Sequence, residues 1–323
     1  MNISMFYNDG LNEGQVRDEV NIHHTLSYYG GHTYPRWEEF WPIKVTVNDE
    51  ESVLEADLIL AFNGNQVSPE KIREWKSKTK APVWFWTFDN CDRRPAIYNI
   101  IKECDLWLGE ELGRRERFKK EGLPFYYFPL HAGDEKVFRP FDPPIDHTKP
   151  YDVTFMGTPY GAEMRKELLL AVQEKFDLHV WGNNPESWKN WGIKNVHGPA
   201  FDQAANEIIN QSKIILGVSN CSCEGYWSVR TACVMLAGGF HIVRFTPQME
   251  KECGDGVIYF SDIEDCLKKI EYYLDKDSPC SWQRRIHIQG RANNIAYNKL
   301  TFQIRCHELM VLFQHRNRLM QMI

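Results

Sequence analysis

Short apolar segments alternate with helix-like segments along most of the chain. Ala56–Phe62 and Pro82–Phe88 are almost wholly apolar, which is typical of strands buried on both faces of a parallel sheet. The first strand candidate, Ile3–Tyr7, is followed by a helical stretch, Gln15–Tyr29, which two glycines close. The first half of the chain therefore predicts a parallel sheet with helices on both faces.

The same alternation restarts after a proline-rich segment. Arg139–Pro150 contains four prolines, so it can form neither a regular helix nor a central strand. A strand candidate, Asp152–Met156, and a helix, Ala162–Phe176, follow it, and Gln283–Met322 is almost wholly helical with a break expected near Asn293. We therefore predict an N-terminal domain (residues 1–141), a linker (142–150) and a C-terminal domain (151–323) whose terminal helices could cross back to the first.

Two successive α/β units of this kind predict two Rossmann-like, doubly wound domains that face each other across a cleft. In doubly wound sheets, ligands bind beyond the carboxyl ends of the strands. Pockets also form preferentially between domains, so the cleft is the expected binding site.

Charge and cysteine content narrow the class of protein. The chain has 323 residues and a net charge of -6, without the basic stripe that a nucleic-acid surface requires. Its nine cysteines show no paired framework, which favours reduced thiols. No apolar run approaches the ~20 residues of a membrane span, and the first ten residues lack signal-peptide features. A cytoplasmic protein is therefore expected.

The segment Gly225–Gly239 is the most informative in the chain. Its Ser228, Arg230, Gly238 and Gly239 have the spacing of the donor-domain signature of CgeB-like, group 1 type glycosyltransferases, which the segment resembles. The resemblance extends over about residues 125–310. It implies a GT-B fold and transfer of a sugar from a UDP- or GDP-linked donor, with retention at the anomeric carbon and no further cofactor.

One position departs from this family pattern. Cys233 stands where the family often has a glutamate that holds the ribose of the nucleotide, and Glu224 lies nearby at a different spacing. The departure leaves two readings open, an altered donor preference and a weakened activity.

The donor chemistry assigns roles to the residues around this signature. Departure of a nucleoside diphosphate builds negative charge that fixed cations and backbone amides can stabilise. We expect a helix that begins near Ser228 and carries Arg230 one turn inside, where its guanidinium meets the diphosphate. Ordinary alternatives are a plain helix cap and a surface ion pair. The donor-binding candidates are Gly157, Thr158, Arg165, Gly182, Glu224, Tyr226, Trp227 and Ser228.

Further candidates lie on the first domain and its last turn. His131 and Asp89 are candidate catalytic residues beside Arg230, although a structural histidine and a helix cap are the ordinary alternatives. Asp9, Gly10 and Asn12 follow the first strand and are the expected acceptor side. No metal is expected, because no Asp-x-Asp stands at a place where a cation-dependent transferase would need it.

Three functions fit these residues. The first is transfer of a sugar to a glycan, protein or small molecule; a modified DNA base is less favoured because of the acidic net charge. The second is a nucleotide- or sugar-binding protein that keeps the fold but has lost activity. The third is a sugar-nucleotide epimerase, for which acidic groups cannot be placed.

Overall fold

The computed structural model describes residues 1–7, 18–30, 43–62, 67–88, 96–141, 149–159, 163–219, 223–275 and 277–316. The chain divides into two compact units. The first unit comprises Met1–Leu130, Cys223–Gly225 and Phe302–Ile323, and the second comprises His131–Ser222 and Tyr226–Thr301. Residues 131–141 therefore pack with the second unit, whereas the sequence placed the boundary after residue 141.

The first unit is a six-stranded parallel sheet with flanking helices. Its strands are β1 (Asn2–Phe6), β2 (Lys44–Val47), β3 (Leu58–Phe62), β4 (Val83–Trp86), β5 (Leu106–Gly109) and β6 (Phe125–Tyr127), in the order β2-β1-β3-β4-β5-β6. Its helices are α1 (Asp18–Gly30), α2 (Pro69–Lys78), α3 (Ala96–Ile101), α4 (Arg115–Lys120) and, from the end of the chain, α12 (Phe302–Gln314).

The sequence explains why the central strands of this unit form. Every residue of β3, β4 and β5 is buried, as expected for apolar strands covered on both faces. Helix α2 begins at Pro69, because the Ser68 hydroxyl accepts a hydrogen bond from the backbone N–H of Lys71 (3.2 Å) and proline is favoured in the first turn.

The second unit repeats the same plan. Its strands are β7 (Tyr151–Gly157), β8 (Leu178–Gly182), β9 (Asn195–His197), β10 (Ser212–Gly217), β11 (His241–Arg244) and β12 (Ile258–Phe260), in the order β12-β11-β10-β7-β8-β9. Its helices are α5 (Glu163–Lys175), α6 (Pro185–Asn190), α7 (Asp202–Gln211), α8 (Arg230–Leu236), α9 (Met249–Cys253), α10 (Ile263–Leu274) and α11 (Pro279–Lys299).

Helices cover both faces of this second sheet. On one face, Phe155 packs in a cluster with Leu169 of α5 and Ile270 of α10. On the other, Ile215 packs with Val234 of α8. All strand pairs are parallel, so their carboxyl ends meet at one edge. The predicted fold of two Rossmann-like α/β units is confirmed.

One sequence prediction of local structure was wrong, and one strand was not predicted. The C-terminal helical region breaks at Leu300, not near Asn293. Asn293 stays helical because its side-chain amide donates to the Leu236 carbonyl (2.6 Å), whereas the Leu300 carbonyl accepts from the Gly133 amide (2.9 Å). Strand β2 was not predicted, because it is a short edge strand without a buried residue.

The helices of the described residues include none that is long and apolar enough to cross a membrane.

Candidate functional site

Three neighbouring strands of the second sheet end in glycine. Gly157, Gly182 and Gly217 are the last residues of β7, β8 and β10, and Gly157 pairs directly with Gly182. A Cβ atom on Gly182 would lie 1.9 Å from the Gly157 carbonyl oxygen, and one on Gly217 would lie 2.5 Å from Cε1 of His241. The glycines therefore allow a close approach of backbone and side chains at this edge.

Arg230 lies beside the same edge. A Cβ atom on Gly157 would be 3.4 Å from Nη2 of Arg230, and the Arg230 Cζ lies 5.7 Å from the centroid of the Phe155 ring. Its side chain is half-buried, and burial lowers the pKa of this guanidinium. Among the residues that the structure describes, no carboxylate pairs with Arg230. The surface ion pair considered from the sequence is therefore not formed with any of them.

Helix α8 begins two residues later than the sequence suggested. Arg230 is its first residue and does not lie one turn inside. The Ser228 hydroxyl oxygen accepts a hydrogen bond from the Arg230 amide (3.3 Å). This contact uses the oxygen of Ser228 and not its hydroxyl hydrogen, which can still donate to a ligand.

Arg165 is buried and bound to the backbone. Its guanidinium donates to the Thr158 carbonyl and to the Val218 carbonyl, both at 2.9 Å. Its Cζ lies 5.6 Å from the centroid of the Phe155 ring, a distance typical of a cation–π contact. Arg165 thus links the carboxyl ends of β7 and β10 and fixes Thr158. A direct contact of Arg165 with a donor stays a prediction.

His131 and Trp227 pack on each other within the second unit. Their ring centroids are 3.6 Å apart at an interplanar angle of 25°, and both side chains are buried. Nδ1 of His131 lies 3.6 Å from a carboxylate oxygen of Glu252. His131 also has a φ of 34°, in the left-handed region. The pair supports the segment that leads to Ser228, and a catalytic role for His131 stays a prediction.

Tyr226 and Glu224 differ in their surroundings. Tyr226 is buried in the second unit, close enough to Arg230 to influence its pKa. Glu224 is exposed and belongs to the first unit, where its carbonyl accepts from the Gly113 amide (3.0 Å). The neighbouring Gly225 is held at a φ of 84° against Leu112. A contact of Glu224 with the donor stays a prediction.

Four candidate residues lie outside the described residues: Asp9, Gly10, Asn12 and Asp89. The acceptor side and one catalytic candidate stay predictions. The described part of the chain has no cluster of three or more His, Cys, Asp or Glu side chains that could hold a metal ion.

His241 is a buried residue of this region that the sequence did not single out. Its Nδ1 lies 2.9 Å from the Ile215 carbonyl and its Nε2 lies 3.2 Å from the Thr231 hydroxyl. Burial, and to a lesser extent the Arg230 cation, lowers the pKa of His241 to about 4. The ring is therefore neutral at physiological pH.

We expect this histidine to make the second unit less stable in acid. Its pKa is 6.5 in an unfolded chain and about 4 in the fold, so between these values only the unfolded chain binds the proton. The contribution of His241 to the free energy of unfolding is fully present above pH 6.5. As the pH falls to 4, the free energy of unfolding decreases by up to about 3 kcal/mol. Urea unfolding of wild type and His241→Gln at pH 7 and pH 4.5 measures this loss. An equal loss in both proteins would contradict a buried neutral His241.

A match to a protein family covers most of the second unit. Residues 165–309 match the family model Glyco_trans_1_2, which describes glycosyl transferase-like proteins. This range includes Arg165, Arg230 and His241 and begins after Gly157. Among curated proteins, none matches the sequence.

Solved structures match nearly the whole chain at low sequence identity. HepE from Anabaena in complex with UDP and glucose is 11% identical, covers 97% of this chain and 99% of its own, and has a TM-score of 0.64. Sucrose-phosphate synthase from Thermosynechococcus elongatus is 8% identical, with coverages of 98% and 99% and a TM-score of 0.67. An α1,3-fucosyltransferase is 12% identical, with coverages of 99% and 90% and a TM-score of 0.57.

These findings confirm the GT-B fold, and residues 165–309 resemble glycosyl transferase-like proteins. At these identities the structural neighbours establish the fold alone.

Proposed function

We propose that the chain is a glycosyltransferase that takes a sugar from a nucleotide-sugar donor and binds the donor diphosphate at Arg230. The observation that carries this proposal is a half-buried guanidinium without a carboxylate partner among the described residues, at the carboxyl end of the second sheet. A buried cation needs a partner of opposite charge, and the phosphates of a bound donor would supply one here.

The glycine strand ends support the same placement. Gly157 and Gly182 leave room for the Phe155 ring, the Gly157 carbonyl and Trp188, and so keep the ends of β7 and β8 close together beside Arg230. Arg165 holds Thr158 in place by donating a hydrogen bond to its carbonyl. Ligands of doubly wound sheets bind at this edge, and the HepE structure with the same fold contains UDP.

The chemistry follows from where charge develops. When the bond between the anomeric carbon and the diphosphate breaks, the electron pair goes to the leaving oxygen. A fixed guanidinium stabilises this charge more than it stabilises the intact donor, which lowers the barrier. The Ser228 hydroxyl could donate a further hydrogen bond. Retention and the CgeB-like subgroup are extensions that rest on the Ser228–Gly239 signature. Independence of metal rests on the lack of an Asp-x-Asp arrangement where a cation-dependent transferase would need it.

Release of nucleoside diphosphate tests the proposal. We expect incubation with a panel of UDP- and GDP-linked sugars to release UDP or GDP above the buffer rate, because water can replace a missing acceptor. Saturation at ~100 times the dissociation constant should also stabilise the fold by about 2.7 kcal/mol.

Two other results would change the assignment. Stabilisation without release, even with glycan, protein and small-molecule acceptors, would favour the binding protein that Cys233 allows. A result with no release of nucleoside diphosphate and no stabilisation of the fold would contradict a nucleotide site at Arg230.

A further inference from the structure

A chain of hydrogen bonds runs from the second sheet to the first turn of α8. The Ile215 carbonyl can only accept, so Nδ1 of His241 donates to it at 2.9 Å. In the neutral ring, Nε2 then carries a lone pair. The Thr231 hydroxyl therefore donates to Nε2 at 3.2 Å. Thr231 follows Arg230 directly in the chain. The two hydrogen bonds of His241 therefore connect the start of α8, at Arg230 and Thr231, to strands β10 and β11.

The strand beside it is shaped to admit this ring. Cε1 and Nε2 of His241 would lie 2.5 Å and 2.7 Å from a Cβ atom on Gly217. No other residue type fits at Gly217 without displacing the imidazole or Val243, which lies 2.8 Å from the same position. The missing side chain at 217 and the imidazole at 241 therefore form one arrangement.

We propose that His241 and Thr231 are positioning residues that orient Arg230 toward the donor diphosphate. This inference rests on the proposed function. Both side chains are buried, so they act through Arg230 and do not touch the substrate.

The imidazole of His241 is neutral, which is compatible with the positive charge of Arg230 nearby. Among the described residues, Tyr226 and Cys233 influence the pKa of Arg230, and Arg230 influences the pKa of His241. A neutral imidazole adds no second positive charge beside Arg230, whereas a lysine or a charged histidine at 241 would repel it. Hydrogen bonds from a neutral ring thus fix the helix end without weakening the attraction for phosphate.

Substitution of Thr231 tests the inference in the full chain. Thr231→Val removes the hydroxyl and keeps the branched shape, and Thr231→Ser keeps the hydroxyl. We expect Thr231→Val to raise the dissociation constant of UDP or GDP, whichever the wild type binds, by about 10-fold, and Thr231→Ser to stay within about 2-fold of wild type. Small displacements of a positioning group suffice for such losses.

Thr154→Val is the matched control. Thr154 is equally buried in the second unit, and its hydroxyl bonds that of Ser212 (2.7 Å) within the sheet. We expect this variant to lose stability and keep wild-type nucleotide affinity. If Thr231→Val does not fold, Thr231→Ala serves instead, since it removes the hydroxyl without placing a methyl group against His241.

The outcomes separate the inference from the proposed function. If the wild-type chain binds neither UDP nor GDP, the result contradicts both the positioning inference and the proposed function. If wild type binds one of them and Arg230→Ala does not, but Thr231→Val and Thr231→Ala bind as wild type does, the positioning role is overturned and the donor site stands. Loss in Thr231→Val, with recovery in Thr231→Ser and affinity kept in Thr154→Val, supports the inference.

Discussion

Replacing Arg230 with alanine is expected to lower the rate of donor turnover by at least about 100-fold, the range found when one stabilising group is removed from a developing anion. The effect arises because the guanidinium has no carboxylate partner among the described residues and lies against Gly157 at the strand ends. Alanine leaves the leaving diphosphate without its cation. The rate of nucleoside diphosphate release from the preferred sugar nucleotide measures the effect.

Two further variants make this result specific. Arg230→Lys keeps the charge but loses the planar fork, so we expect partial activity. Arg291→Ala removes an exposed arginine of the same unit that pairs with Asp255, and we expect turnover like that of wild type. Full activity in Arg230→Ala would show that the donor phosphates bind elsewhere.

Gly182→Ala is expected to produce the largest loss of stability. The added Cβ would meet the Gly157 carbonyl oxygen at 1.9 Å and Nε1 of Trp188 at 2.9 Å. The first of these atoms belongs to a neighbouring strand and cannot move without shifting the end of β7. Overpacking of this kind costs roughly 3 kcal/mol, so urea unfolding followed by tryptophan fluorescence should show a clearly lower midpoint.

Gly198→Ala is the matched control for this substitution. A Cβ atom on Gly198 would have no other atom within 4 Å, so we expect a change within about 0.5 kcal/mol. Because the end of β7 carries Gly157, Gly182→Ala should also weaken nucleotide binding, and Gly198→Ala should not. Equal stability of the two variants would mean that β7 and β8 are spaced differently at their ends.

The fold could be predicted because its strands are long apolar runs separated by capped helices. The Asp262 carboxylate, for example, caps α10 by accepting a hydrogen bond from the Asp265 amide (2.9 Å). The edge strand β2 escaped prediction because a partly exposed four-residue segment has no distinctive pattern. The helix break at Leu300 was not predicted, because it coincides with a backbone hydrogen bond to Gly133, which is distant in the sequence.

The site could be predicted only in part for a related reason. Ser228 and Arg230 lie two residues apart, so a local signature reveals them. Gly217, Thr231 and His241 come from two strands and a helix, and each looks ordinary in the sequence. Only the fold shows that the imidazole fills the space beside a glycine and bonds the residue after Arg230.

A crystal structure of the wild-type chain with UDP or GDP bound would test the central placement most directly. It should show a diphosphate oxygen about 2.7–2.9 Å from the Arg230 guanidinium, the distance of a charge-assisted hydrogen bond, beside the backbone of Gly157. A nucleotide bound with its phosphates away from Arg230 would contradict the proposed site and leave the GT-B fold as the established result.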